Sequence, residues 1–438
     1  MKFGTSGIRG VFNEEINSRD IIKLGESVIG NNMGERFFVG FDSRRTSMLF
    51  ANVLVSSLSY FGKTVVNGGC LPTPVIAYSI KKGKYDVGFS ITASHNPPQY
   101  VGIKVFDSNG MALPEEMESM LENYNEQSNS HAVRFGKISC NRNYENLYKH
   151  EITKMFSGTK RKFKILVDCS NGVTNNFTPV ILSELGHSVT SLNSHRSHLF
   201  PGHDPEPIQE NLASTVSLMK ETDFDFGFVH DGDGDRLVII TKDGIVPDYV
   251  FSYLIMSTIL EERKGDVVIS INSSNALEEL AVKNSCESIR TRLGKTFILL
   301  DKKSGVFATE PSKVIDPVWG LWEDGIYAAV KLVQFMSKND ISMTEMIGRC
   351  PKRYYNQKNI TGVSLDIEKV KSEFIKRFQD QISGIQEIDG LRFILDKESW
   401  VLFRSSGTER KTRIYVESSD QTRSNQLMNE AEKILSEF

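Results

Sequence analysis

Tyr85-Asp86-Val87-Gly88-Phe89-Ser90 and, far downstream, Phe224-Asp225-Phe226-Gly227-Phe228-Val229 are two versions of one pattern. Each sets an aromatic residue and an aspartate before a short apolar run containing one glycine. A run of this kind, rich in β-branched and aromatic residues, reads as a strand buried on both faces. Each also leads into an unusual polar loop: Thr92-Ala93-Ser94-His95-Asn96-Pro97-Pro98 after the first, His230-Asp231-Gly232-Asp233-Gly234-Asp235-Arg236 after the second. Two related α/β domains explain the echo, and chance similarity between two short strands is the alternative. Phe37–Phe41, Val87–Ile91, Ile165–Val167, Phe226–Val229 and Val267–Ile271 are the candidate strands, with helix-like patterns between them. That alternation predicts βαβ units and mostly parallel sheets, whose ligands sit beyond the strand C-termini.

The C-terminal segment has a different rhythm. Ile367, Val370, Phe374 and Phe378 mark an amphipathic helix, and Leu391–Leu395 with Val401–Phe403 reads as a hairpin. Arg413–Glu417 is a further strand, and Leu427, Ala431, Ile434, Leu435 and Phe438 mark a last helix. Strands beside helices without strict alternation predict a small α+β domain. The polar stretches Glu126–Arg134 and Arg349–Lys358 read as linkers.

The chain has 438 residues, which at roughly 150 residues per domain suggests about three domains. Lys plus Arg number 52 against 55 Asp plus Glu, a net charge of −3. That balance argues against a nucleic-acid binder, whose footprint is strongly basic. With 24% charged and 39% hydrophobic residues the composition fits a globular chain rather than a disordered one. Cys70, Cys140, Cys169, Cys286 and Cys350 are odd in number and far apart. They argue against a disulfide framework or a C-x-x-C zinc site and fit reduced thiols in the cytoplasm. Met1 to Ser6 has no apolar signal core, and Tyr249–Leu260 is too short to span a bilayer. The expected compartment is therefore the cytoplasm, without membrane attachment.

The strongest local signal is Asp231-Gly232-Asp233-Gly234-Asp235-Arg236. In an extended loop, residues at i, i+2 and i+4 face one way, so three carboxylates converge, and the repulsion between them is relieved by a hard divalent cation. An EF-hand needs Gly at its sixth position and Glu at its twelfth, where this chain has Arg236 and Lys242. Mg²⁺ fits better, since it takes few carboxylates and completes its shell with phosphate or water. A solvated acidic turn is the plain alternative. Ser94, at a predicted strand C-terminus with His95 beside it, is a candidate reacting hydroxyl; an ordinary turn would use the same residue types. Arg404-Ser405-Ser406-Gly407-Thr408, followed by Arg413, has the makings of an anion-binding nest with arginine clamps. Gly4-Thr5-Ser6-Gly7-Ile8-Arg9-Gly10 suggests close backbone approach to an anion at Arg9, and it is neither G-x-G-x-x-G nor a Walker A loop. One serine, one carboxylate cluster and several arginines together point to phosphoryl transfer, a chemistry of positioning and charge.

At these residues the chain resembles the α-D-phosphohexomutase family of phosphoglucomutases, phosphomannomutases and phosphoglucosamine mutases. Four motifs stand in the family's order across nearly the whole chain: Thr5–Gly10, Thr92–Pro98, Asp231–Arg236 and Arg404–Thr408. The resemblance implies four domains around a central cleft, three similar mixed α/β units and a smaller C-terminal α+β domain. The expected divisions are 1–128 with the serine loop, 145–242 with the metal loop, 243–347 with the sugar-reading loop and 357–438 with the phosphate loop. It implies that Ser94 is a phosphoserine passing its phosphoryl group to a hexose phosphate through a bisphosphorylated sugar, which also serves as activator. Asp231, Asp233 and Asp235, with a phosphate oxygen on Ser94, match Mg²⁺ ligands. Arg9 and Lys104 match cations at the transferring group, Lys104 also being a general acid/base candidate, and His95 and Arg236 fit supporting roles. Arg404, Ser406, Gly407, Thr408 and Arg413 match the grip on the non-reacting phosphate. Asp42-Ser43-Arg44-Arg45 matches a family segment that a structural salt bridge explains equally well.

The sugar-reading loop departs from the family pattern Gly-Glu-x-Ser-Gly-His. The matching stretch here is Thr309-Glu310-Pro311-Ser312-Lys313-Val314. Glu310 and Ser312 remain, the Gly and His do not, and Lys313 is the candidate substitute. The Glu-Pro form, with Asp324-Gly325-Ile326 following, looks more like archaeal-type phosphoglucosamine mutases than like bacterial bifunctional enzymes. Arg292-Leu293-Gly294-Lys295 resembles another substrate-facing turn. The implied partners are small hexose phosphates, with the chain a monomer or homodimer. Phosphomannomutase or phosphoglucomutase activity is the nearest alternative. A metal-dependent sugar phosphatase with Asp231 or Asp233 as nucleophile, and a non-catalytic sugar-phosphate-binding relative, are the other classes.

Overall fold

The six-residue run Arg36–Phe41 (β2) and the five-residue run Val87–Ile91 (β4) are almost wholly apolar because both lie inside a sheet covered on two faces. A computed structural model describes residues 2–124, 135–405 and 411–437. It divides into two compact units, residues 1–251 with 312–346, and residues 252–311 with 347–438.

In the first unit Ile8–Val11 (β1), β2, Thr64–Cys70 (β3), β4, Tyr100–Phe106 (β5) and Ile138–Cys140 (β6) form one sheet in the order β1-β5-β4-β2-β3-β6. The helices Ser18–Gly30 (α1), Arg45–Tyr60 (α2), Thr73–Gly83 (α3) and Glu115–Glu122 (α4) accompany it. Asn17 begins α1 with a capping box shared with Asp20, which satisfies two otherwise orphaned backbone groups. Asn143–Met155 (α5) leads to a second sheet of Lys164–Asp168 (β7), Ser188–Leu192 (β8), Phe226–His230 (β9), Leu237–Thr241 (β10) and Gly244–Ile245 (β11). Its order is β11-β10-β9-β7-β8, with Thr178–Glu184 (α6) and Ala213–Glu221 (α7) between strands.

The two sheets repeat one topology. β2-α2-β3-α3-β4-β5 lies in the order β5-β4-β2-β3, and β7-α6-β8-α7-β9-β10 lies in the order β10-β9-β7-β8. The echoed segments are thus equivalent strands, β4 and β9. Each is parallel to one neighbour and antiparallel to the next strand in sequence. The expected mostly parallel sheets are therefore mixed, and both polar loops are the turns of antiparallel pairs.

The chain next forms Asp248–Glu262 (α8), Val267–Ser270 (β12), Asn275–Lys283 (α9), Ser288–Thr291 (β13), Thr296–Lys303 (α10) and Phe307–Glu310 (β14). In the second unit the parallel strands run β13-β12-β14, the same order a third time. Lys313–Ile315 (β15) and Gly325–Asn339 (α11) return to the first unit, and Met343–Gly348 (α12) follows. Asp324 begins α11, its side chain accepting from Tyr327 N at 2.9 Å. The same carboxylate accepts from Tyr148 Oη (2.8 and 2.7 Å) and from Nε1 of Trp319 (2.8 Å) and Trp322 (3.4 Å). Full burial nonetheless pushes the Asp324 carboxyl up from 3.8 to about 6, against those donors. The native state therefore holds this proton between about pH 4 and 6 while the unfolded chain releases it. Relative to Asp324→Asn, wild-type stability is expected to fall by about 3 kcal/mol as pH rises through that window and to level above it. The check is the difference in melting temperature between the two proteins from pH 4 to 7.

The C-terminal part of the second unit is an antiparallel sheet in the order β16-β20-β19-β18-β17, from Tyr354–Thr361 (β16), Gly384–Gln386 (β17), Leu391–Ile394 (β18), Trp400–Ser405 (β19) and Lys411–Ser418 (β20). Ile367–Phe378 (α13) and Gln421–Ser436 (α14) cover one face. Phe374, Phe393, Phe403, Leu427 and Ile434 fill the core between, and the Phe374 and Phe393 rings stack at 4.0 Å. This is the predicted α+β domain, with one correction. Tyr354–Lys358 is not linker but the start of β16, paired with β20 over eight residues. Its polar sequence misled because β16 is an edge strand, where polar side chains are the rule. The other expected linker, Glu126–Arg134, lies outside the described residues, as does the end of the expected first division.

Candidate active site

The loops after β4 and β9 meet in the first unit. Ser94 is fully buried, and its Oγ donates to Asp231 Oδ2 at 2.7 Å and lies 3.3 Å from His95 Nδ1. Two backbone features let the loops approach. Ser94 takes a left-handed φ of +53°, and a Cβ on Gly232 would fall 2.6 Å from the Ser94 carbonyl oxygen. On the other side, a Cβ on Gly325 would stand 2.6 Å from the Arg236 carbonyl, so the N-terminus of α11 also closes on the acidic loop.

Asp231, Asp233 and Asp235 are buried and offer carboxylate oxygens within 4.8 Å of one another. Asp231 Oδ1 accepts from the backbone of Gly234 (3.0 Å) and Arg236 (3.3 Å). Lys104 Nζ donates to Asp233 Oδ2 (2.7 Å) and Asp235 Oδ2 (2.6 Å), and Thr73 Oγ1 donates to Asp233 Oδ2 (2.6 Å). Burial works against all three charges. At Asp231 burial and the neighbouring Asp233 and Asp235 push the carboxyl well above its ordinary range. At Asp235 burial is outweighed by Lys104, Lys313 and Arg236, which hold the group well below it. The inner oxygens, Asp233 Oδ1 and Asp235 Oδ1, are buried with no hydrogen-bond partner. Buried carboxylate oxygens left bare beside a third, repelled carboxylate are a donor set for a hard divalent cation. The acidic triad is able to bind a metal.

Positive side chains surround the serine. Arg9 lies on β1, opposite Gly102 of β5, and its Nη1 donates to Asn96 Oδ1 at 3.0 Å. Nε of Arg9 and of Arg236 are buried without a partner, donors suited to an anion. Burial, then Arg236 and Arg9, holds the His95 imidazole well below its ordinary range, so it is neutral near pH 7. Lys313, grouped by sequence with the sugar-reading residues, has its Nζ 3.0 Å from Asp235 Oδ2 and pairs with Glu323. Ser312, with φ +61°, donates instead to Asp248 at 2.8 Å.

Other predicted residues lie in the second unit. Glu310 Oε1 accepts from Gly294 N (2.7 Å) and Thr296 Oγ1 (3.0 Å), and Arg292 is exposed in the same turn. Arg404 Nε donates to Asp389 Oδ2 at 2.7 Å, and Arg404 stands directly opposite Arg413 across β19 and β20. Like charges so placed repel unless an anion joins them, and Arg413 Nε is buried with no partner. Ser406, Gly407 and Thr408 lie outside the described residues. Thr73, Asn96 and Glu323 were not anticipated. Thr73 follows Pro72 at the start of α3, a position that reads locally as helix initiation only.

Family models match four consecutive stretches: phosphoglucomutase/phosphomannomutase α/β/α domain I over residues 1–131, domain II over 144–244, domain III over 247–354 and the C-terminal domain over 366–434. A probable phosphoglucosamine mutase of Thermococcus gammatolerans is 34% identical, covering 99% of this chain and 98% of its own. A phosphoglucomutase/phosphomannomutase of Thermococcus kodakarensis is 32% identical over the same shares. The crystal structure of a phosphoglucomutase/phosphomannomutase family protein from Burkholderia thailandensis has a TM-score of 0.87 at 23% identity, covering 99% of this chain and 96% of that one. Among the described residues no helix is long and apolar enough to cross a membrane, and all five cysteines are free thiols.

Proposed function

The chain belongs to the phosphoglucomutase/phosphomannomutase family of phosphohexomutases, which are intramolecular phosphotransferases, and from that membership we propose that it exchanges the 1- and 6-phosphates of a hexose through Ser94, with glucosamine phosphate preferred. The observation that carries this reading is the buried Ser94 hydroxyl, 2.7 Å from a carboxylate of the metal-competent triad. In the proposed cycle Ser94 holds a phosphoryl group. A sugar hydroxyl attacks phosphorus, the bond from phosphorus to Ser94 Oγ breaks, and the sugar becomes a bisphosphate. Lys104, the residue assigned that exchange, gives a proton to the departing Ser94 oxygen and takes up the one released by the sugar hydroxyl, so it ends as the ammonium it began. The bisphosphate turns over and returns its other phosphate to Ser94, so no phosphate is consumed.

Asp231, Asp233, Asp235 and a phosphate oxygen on Ser94 would hold Mg²⁺, which when bound offsets the charge of the transferring group. Arg9 and Arg236 supply the fixed positive field and His95 a neutral hydrogen-bonding partner. Arg404 and Arg413, with Ser406, Gly407 and Thr408, are assigned to the non-reacting phosphate. Glu310, Ser312, Lys313, Arg292 and Gly294 are assigned to the sugar. A hexose bisphosphate is the intermediate and the activator. Unpaired thiols fit an enzyme of the cytoplasm.

The glucosamine preference rests on the phosphoglucosamine mutase names among the relatives and on the Glu310-Pro311-Ser312 form of the loop. It is tested by kcat/KM on glucosamine, mannose and glucose phosphates under identical Mg²⁺ and activator. Glucosamine is expected to lead by about tenfold or more, only ~1.4 kcal/mol of differential transition-state binding. A lead for mannose or glucose would reassign the sugar. Inorganic phosphate released faster than isomer would replace the mutase reading with a phosphatase.

A further inference from the structure

Ser94 is buried at a φ of +53°, a conformation that a residue bearing a Cβ adopts only when its surroundings impose it. The imposing groups come from the turn after β2. Thr92 Oγ1 accepts from Ser94 N at 2.8 Å and donates to Asp42 Oδ2 at 2.7 Å. Arg44 Nη2 donates to the Ser94 carbonyl at 3.1 Å and also to the Asn96 carbonyl. The guanidinium is itself fixed. Nη1 pairs with Asp42 Oδ2, the Arg44 backbone N–H donates to Asp42 Oδ1 at 2.9 Å, and the side chain is 1% exposed. Its Cζ lies over the ring of Phe200, 4.8 Å from the centroid; Phe200 is a buried residue of the segment between β8 and α7 that also has positive φ, +47°.

Arg44 is thus spent neither on solvent nor on a simple ion pair. One edge of its fork meets Asp42, the other meets the carbonyls of Ser94 and Asn96, and its Cζ lies over an aromatic ring. Both carbonyls belong to residues whose side chains point into the site: Ser94 toward Asp231, and Asn96 toward Arg9 at 3.0 Å. A lysine, with a point charge and no fork, would not hold both carbonyls and Asp42 together.

We propose that Arg44, backed by Asp42 and Phe200, is a positioning residue for phosphoryl transfer: it holds the backbone of residues 94–96 so that Ser94 Oγ faces the acidic triad and Asn96 faces Arg9. The proposal rests on Ser94 being the phosphoryl carrier. The hydrogen bonds of the Arg44 guanidinium go to Asp42 and to the Ser94 and Asn96 carbonyls, so its loss is expected to act on kcat through misplacement and to leave ground-state sugar binding largely intact.

The test uses the full chain as Arg44→Met, Arg44→Lys and Phe200→Leu, with Ser94→Ala alongside. Each is loaded with glucose 1,6-bisphosphate and Mg²⁺ and followed by steady-state kinetics and by the ³¹P resonance of phosphoserine. Arg44→Met is expected to lose about 100-fold in kcat, the scale set by a misplacement near 1 Å, with KM within about threefold. Its phosphoserine resonance should shift or broaden. Arg44→Lys should recover about tenfold of that loss, and Phe200→Leu should lose about tenfold. If Arg44→Met does not fold, the other two variants decide. Wild-type kcat in the folded variants overturns the proposal, as does a loss of kcat that only tracks the folded fraction with an unmoved resonance. Turnover by Ser94→Ala would instead overturn the assignment of the carrier. An inactive Ser94→Ala beside fully active Arg44 variants would overturn this proposal alone.

Discussion

Ser94→Ala is expected to reduce mutase turnover by about 10⁴-fold or more, even with a bisphosphate sugar supplied as activator. The magnitude follows from what can replace the hydroxyl. Thr73 is the other hydroxyl on the triad, and its Oγ1 is committed to Asp233 at 2.6 Å and shared with Ser90 at 2.9 Å. His95 is beside Ser94 but is turned so that Nδ1 meets Ser94 Oγ itself. Without the serine oxygen no group stands where the phosphoryl acceptor must be. The fold should survive, because alanine accepts the same backbone with no added bulk and the loss is two hydrogen bonds, about 1 kcal/mol each. The readouts are isomer formation, gain of covalent phosphate and melting temperature. Turnover within tenfold of wild type would sink the assignment. Lost isomerisation with undiminished release of inorganic phosphate would move the chemistry to the aspartates.

Lys104→Met is expected to be costly in two separable ways. Lys104 Nζ bridges Asp233 and Asp235, whose side chains are each 1% exposed. Removing one partner of a buried ion pair strands the other, typically at about 3–5 kcal/mol. Asp233 suffers more: burial and Asp235 already push its carboxyl up, and Lys104 and Thr73 are what hold it below its ordinary range. Asp235 keeps Lys313. The melting temperature should therefore drop by several degrees without added metal. Mg²⁺ binds the native state and not the unfolded one, so it raises the melting temperature of both proteins. The rise should be larger for the variant, where no ammonium competes for the same carboxylates. Activity does not return with the metal. A loss of about 10³-fold in kcat/KM is expected to persist at saturating Mg²⁺, because the cation next to the transferring group is gone. An unchanged melting temperature, or activity within tenfold at saturating Mg²⁺, would contradict the role given to Lys104.

The residues that sequence made legible share a property: their chemistry is local. Asp231, Asp233 and Asp235 converge because they alternate in one loop, and β4 and β9 declare themselves because both faces are covered. The contacts that escaped act across the chain. Thr73 meets Asp233 at a separation of 160 residues and Arg44 meets Ser94 at 50, and no pattern around either signals the partner. Spacing tied Lys313 to Glu310 and Ser312 and gave no sign of its contact with Asp235. It opens β15, and neighbouring strand residues point to opposite sides. Ser312 therefore turns to Asp248 while Lys313 turns to Asp235.

The threefold recurrence of one strand order puts the serine, the acidic loop and the Pro311–Ser312 turn at the same station, directly after the inner strand, in three successive modules. Labour is divided among copies of one scaffold: one copy is assigned the reacting group, one gathers charge, one is assigned to read the sugar. Such a division lets each task be retuned by editing a single turn. Lys313 limits that freedom here. It belongs to the turn assigned to the sugar, yet its ammonium rests on Asp235. Changes selected for a new sugar in this chain would therefore also alter the charge balance around the metal-competent triad.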